Sequence, residues 1–113
     1  MANRIDRVNS LLEREISKVL LRDFEFFDAM VTLTHVDATL NLIEARAYIS
    51  VFPEEKADKI IAILNRGVYE IQQKINKMLN MRPIPKITFV KDEKIKEAAR
   101  VEELLGKLKK PEN

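Results

Sequence analysis

The apolar residues of this chain change their spacing repeatedly, and the order of those changes limits the folds open to it. Ile5, Val8, Leu12, Ile16, Val19 and Leu20 recur at helical spacing and predict a helix over residues 4–22. Asn3 is its candidate N-cap, and Asp6 stands near its positive end. Residues 30–39 are then rich in β-branched side chains. Their apolar positions change face near Thr34 or His35, which predicts a bulge or a strong twist. After a turn at Leu40-Asn41-Leu42, residues 43–52 alternate: Ala45, Ala47, Ile49 and Val51 face one way, and Glu44, Arg46, Tyr48 and Ser50 the other.

Helical spacing returns after Pro53-Glu54-Glu55 with Ala57, Ile60, Ile61 and Leu64. It breaks at Asn65-Arg66-Gly67 and resumes with Val68, Ile71, Ile75, Met78 and Leu79 to about Asn80. Arg82-Pro83-Ile84-Pro85 cannot continue a helix, because proline lacks a donor and restricts the residue before it. Residues 86–91 form a third short strand. The prediction is an α+β domain of order α-β-β-α-α-β over residues 1–92, with a three-stranded sheet and its helices on one face. Residues 93–113 follow as a C-terminal tail, helical or flexible, with Ile95, Ala98, Val101, Leu104, Leu105 and Leu108 at helical spacing.

Composition removes several chemistries. The chain of 113 residues has no cysteine, which excludes disulfides, thiolate metal sites and a cysteine nucleophile. Its only glycines are Gly67 and Gly106, so no glycine-rich loop can cradle a nucleotide phosphate. His35 has no acid or serine at a spacing that suggests a triad, and reads as a strand or rim histidine. Adjacent acids such as Glu54-Glu55 and Glu102-Glu103 point about 100° apart on a helix and do not converge as an acid–base pair. No enzyme activity, metal, cofactor or small-molecule substrate is expected. No stretch has signal-peptide or membrane-span character, so a cytoplasmic protein without a membrane partner is expected.

The net charge of +2 hides a strong separation. Residues 23–58 carry two basic and eight acidic groups, whereas residues 59–91 carry seven basic groups against Glu70 alone. Such a chain has a polarised field despite its small total. On the first helix, Arg4, Arg7, Arg14, Lys18 and Arg22 fall within about a quarter of the circumference, interrupted only by Glu15. This stripe and the block Arg66, Lys74, Lys77, Arg82 and Lys86 are the two candidate contacts for a phosphate backbone. Glu70, one turn before Lys74, is placed to pair with it.

The strand-strand-helix-helix-strand core resembles the type II K-homology arrangement, in which a G-x-x-G turn clamps a nucleotide backbone. Here the junction is Asn65-Arg66-Gly67-Val68, a helix kink with one glycine. The chain resembles the ribosome-binding factor A family over residues 4–105. The similarity lies in Arg7-Val8-Asn9-Ser10-Leu11-Leu12, in Val31-Thr32-Leu33-Thr34-His35-Val36 and in Ala45-Arg46-Ala47-Tyr48-Ile49-Ser50-Val51. It continues in the kink, where the family has Ala-x-Gly, and in the stretch from Arg82 through Pro85 and Phe89 to Asp92. Asn65 stands where the family has alanine or serine, Glu70 where it often has arginine, and Lys94 where a serine often follows.

The resemblance implies a factor that binds the immature small (30S) ribosomal subunit and its 16S rRNA. It would assist late maturation and rRNA processing, support growth in the cold, act as a monomer and need no cofactor. The rRNA-binding candidates are then Arg7, Arg14, Lys18, Arg22, Arg66, Lys74, Lys77, Arg82 and Lys86, with the kink at Asn65, Arg66 and Gly67. Two alternatives are a K-homology-like RNA-binding protein outside ribosome assembly and a protein adaptor that docks through its acidic hairpin region.

Overall fold

The computed structural model describes residues 4–81 and 84–93. Its elements are α1 (Arg4–Asp23), β1 (Met30–Ala38), β2 (Glu44–Phe52), a 3-10 turn (Glu54–Lys56), α2 (Ala57–Arg66), α3 (Val68–Met78) and β3 (Lys86–Lys91). The candidate cap Asn3, Arg82 and the tail beyond Glu93 lie outside the described residues.

The sheet order is β1-β2-β3, with β1 and β2 antiparallel and β2 and β3 parallel. A parallel pair needs a long crossover, and α2 with α3 supplies it. The alternating residues Ala45, Ala47, Ile49 and Val51 are buried beneath the helices, which all pack on one face. Small Ala45 and Ala47 let the helix layer come close to the sheet. Leu12, Ile16 and Val19 of α1, Leu64 of α2 and Ile75 of α3 complete the interior with Ile87 and Phe89. This is the type II K-homology order, with a helix break in place of the G-x-x-G turn.

The bulge falls where the strand pattern changes face. Leu33 pairs with Ile49 and His35 with Tyr48, leaving Thr34 as the extra residue. The Thr34 hydroxyl is 2.6 Å from the Asp92 carboxylate, to which it donates, and 3.2 Å from the Tyr48 carbonyl. Asp92, at the end of β3, thereby clamps the bulge from across the sheet. His35 stacks on Tyr48 with ring centroids 4.2 Å apart. The Thr34 hydroxyl also lies 3.2 Å from His35 Nδ1, so one polar group ties β1, β2 and the end of β3 together.

Helix side chains cap both sheet edges, β1 over part of its length. Along β3, the Asn65 amide accepts from the Phe89 N–H and donates to the Phe89 carbonyl, each at 2.8 Å. Gln72 accepts from the Ile87 N–H at 2.8 Å and donates to the Pro85 carbonyl at 3.2 Å. Along β1, Asn9 accepts from the Ala38 N–H at 2.8 Å and Glu13 from the Val36 N–H at 3.2 Å. These four residues take the place of flanking strands and satisfy edge donors that would otherwise recruit another chain. Asn65, a departure from the family pattern, is thus an edge-capping residue.

Gly67 separates α2 from α3 without a left-handed backbone: its φ is −93° and its ψ 8°. Alanine is strained at a glycine position only where φ is positive, so no strain is expected here. A Cβ at Gly67 would lie 3.7 Å from Cζ of Phe24, an ordinary contact. The sequence places the end of α3 near Asn80, but the helix stops at Met78, where Leu79 turns extended and stays buried.

Two outcomes follow for stability. Gly67→Ala is expected to leave the melting temperature unchanged or raise it, by up to about 1 kcal/mol in free energy, through a less flexible unfolded chain. Asn65→Leu is expected to destabilise by about 1–3 kcal/mol, because it strands the Phe89 N–H at a closed edge. Urea unfolding of both variants measures these signs.

Candidate nucleic-acid interface

The helix layer carries both basic groups except Lys86, which lies on β3 in alternation with buried Ile87 and Phe89 and so faces away from the helices. The stripe on α1 is exposed at Arg7, Arg14, Lys18 and Arg22, and the second group is exposed at Arg66, Lys74, Lys77 and Lys86. They are drawn together where the end of α1 meets α3. Asp23 there forms ion pairs with both Arg22 and Lys74. Lys74 therefore pairs with Asp23 across the helices and not with Glu70 within α3. Tertiary placement brought a carboxylate to Lys74 that no i,i+4 rule could supply.

Glu15 plays the same part within α1. It is buried at 5% exposure despite its charge. Arg14 donates to it at 3.0 Å and Lys18 lies at 3.6 Å. The Arg14 hydrogen bond holds its carboxyl below the usual range; burial opposes this, and the charges of Lys18 and Arg14 support it. The residue that interrupts the stripe in sequence is thus its anchor in the fold. Two carboxylates, Glu15 and Asp23, each hold two cations and leave one net positive charge on each cluster.

Arg7, Arg66, Lys77 and Lys86 form no ion pair among the described residues. Between Arg66 and Lys77 stands Tyr69, 72% exposed. The sequence reading passed over it, although a tyrosine set off from the Val68, Ile71, Ile75 face was the available signal. Elsewhere, Lys56 donates to the Asp28 carboxylate at 2.7 Å and to its carbonyl at 3.0 Å, pinning the loop after α1. That hydrogen bond holds the Asp28 carboxyl below its usual range.

Among the described residues, no group of three or more His, Asp or Glu side chains is placed to hold a metal ion. No helix among them is long and apolar enough to cross a membrane. The arrangement can bind polyanions through spaced cations on a rigid helix layer, and it defines a K-homology-like domain with a basic helical surface.

Comparison with known proteins narrows that class. The family model for ribosome-binding factor A matches residues 4–105. The chain is 36% identical over 110 residues to ribosome-binding factor A of Protochlamydia amoebophila, covering 95% of this chain and 84% of that one. It is 35% identical over 114 residues to that of Prochlorococcus marinus, covering 96% and 93%. The crystal structure of ribosome-binding factor A from Thermus thermophilus superposes with a TM-score of 0.66 at 19% identity, over 79% of this chain and 97% of that one. A solution structure of a Thermotoga maritima protein described as a putative ribosome-binding factor A gives a TM-score of 0.59 at 31% identity, over 83% and 94%. A homology model of the Thermus protein, fitted into a cryo-EM map of its complex with the 30S subunit, gives 0.60 at 18% identity, over 74% and 90%. The chain belongs to the ribosome-binding factor A family.

The Glu15 anchor has a pH signature. A carboxyl whose folded value is depressed contributes stability that is fully present above its unfolded value, about 4.3, and is lost as pH falls through the folded one. The stability difference between the native chain and Glu15→Gln is therefore expected to be largest near neutrality and to shrink below about pH 4. Urea midpoints measured across that range test it.

Proposed function

We propose that the protein binds the immature small ribosomal subunit through 16S rRNA and assists its late maturation and rRNA processing in the cytoplasm. Growth in the cold is the condition that exposes its loss. Exposed cations with no carboxylate partner among the described residues carry the reading: Arg7, Arg66 and Lys77 of the helix layer, with Lys86 added from β3. Family membership and the 30S complex of the Thermus relative support it. Phosphate oxygens supply the anions that such a spaced array fits, and Tyr69 offers a ring on which an unpaired base can stack. Arg14, Lys18, Arg22 and Lys74 add a smaller, shared contribution because each must also serve a carboxylate. Arg82 completes the second group by its place in the sequence. The factor acts as a monomer by differential binding, holding one conformation of the rRNA more tightly than its alternatives.

Arg66→Ala, Lys77→Ala and Arg82→Ala combined are expected to weaken small-subunit association at least tenfold. The slope of log affinity against log salt should fall by roughly two to three units, with little change in melting temperature. Lys107→Ala with Lys109→Ala, in the C-terminal tail, is the control. Co-sedimentation with purified small subunits measures both, and equal weakening by the control would move the interface to the tail.

A further inference from the structure

The edge of β1 is closed over only half its length. The carbonyl of Ile43, just before β2, accepts from the Lys86 N–H, and the Ile49 carbonyl in β2 accepts from the Asp92 N–H. Odd-numbered residues of β2 therefore turn their backbone groups toward β3. Their register partners on β1, which include Val31, Leu33, Val36 and Ala38, must turn theirs outward. Val36 and Ala38 are taken by Glu13 and Asn9. No described residue takes the outward groups of Val31 and Leu33. One turn beyond Glu13, the next residue of the capping row on α1 is Ser17, which lines the groove and forms no side-chain hydrogen bond to β1 among the described residues.

A groove of about 340 Å³ lies at this open half-edge, with Leu20, Leu21, Phe24 and Phe26 among the residues lining it. No cation lines it. Glu13 stands beside Val36 at one end, and Glu25 directly precedes Phe26, which lines the other; Asp28 on the same loop is already paired with Lys56. Leu21, in its lining, is 83% exposed.

We propose that this half-edge is the docking site for an extended basic peptide of a partner protein, which adds a strand beside Val31 and Leu33. The backbone groups provide the ladder, alternate apolar side chains enter the groove, and basic residues at the peptide ends meet the carboxylates. The groove has no cation to meet a phosphate backbone, so a peptide fits it and RNA does not. This site is separate from the basic helix layer and does not depend on the rRNA reading.

Two variants close the edge by different means. Val31→Pro removes one outward N–H without touching the β1–β2 ladder, as an edge strand tolerates. Ser17→Glu extends the Asn9, Glu13 row by one turn and supplies the missing cap. The probe is a ten-residue peptide of alternating valine and threonine with two arginines at each end, titrated into the 15N-labelled full chain. A peptide with glutamates at its ends is the comparison. The amide signals of Val31 and Leu33 are expected to shift with the basic peptide, and the apparent affinity to fall at least tenfold in both variants while other amide signals stay native-like. Shifts confined to the helix layer, or equal binding of the acidic peptide, would overturn the proposal. So would displacement of the peptide by a single-stranded RNA oligonucleotide. Self-association of the free chain that Val31→Pro abolishes would assign the edge to a second copy instead.

Discussion

A three-stranded sheet in a chain this small has two edges for three strands, and the fold rests on how those edges are closed. Asn9 and Glu13 serve one edge, Asn65 and Gln72 the other. Each pair projects from a helix that also packs its apolar side onto the sheet, so one element supplies both burial and edge satisfaction. The caps are short-range and directional, whereas the apolar contacts of Ile16, Leu64 and Ile75 tolerate small shifts. The caps therefore define where each helix sits along its strand, and the packed interior holds it there.

Electrostatics follow from that placement. Once α1 is fixed against β1, its end lies beside α3, and Asp23 can join Arg22 to Lys74. Glu15 is buried at the margin of the layer and draws in Arg14 and Lys18. The basic surface is thus organised by two acids, which reduce its charge while fixing the positions of four cations. Pre-positioned cations lose less side-chain freedom on meeting an anion than free lysines do, which partly offsets their lower net charge.

The sequence was informative where the signal was periodic. Helix and strand ranges, the bulge near Thr34 and the break at Gly67 all follow from the spacing of apolar residues, because burial selects those positions directly. Side-chain chemistry between distant elements was not legible. Nothing in the sequence around Asn9, Glu13 or Asn65 says that a strand edge lies within their reach, and Asn65 stands out only as an unusual residue at a kink. Lys74 has an apparent partner in Glu70 one turn away, and only the packing of α1 on α3 reveals Asp23. Gly67 carried a correct signal for a break but not for the sign of φ. Glycine is used here for a bend that any L residue could follow.

That bend has a consequence for strand register. Asn65 and Gln72 are seven positions apart, about 10.5 Å along an unbroken helix. The backbone donors that they serve, Phe89 and Ile87, are separated by about 6.6 Å along β3. The break at Gly67 falls between the two amides and lets them converge on a shorter ruler. A one-residue slip of β3 would turn the outward donors inward and present the amides with groups already bonded to β2. The helix pair and the strand therefore work as a vernier: two scales of different pitch that coincide at one setting, so that the angle between α2 and α3 is read out as the alignment of the last strand.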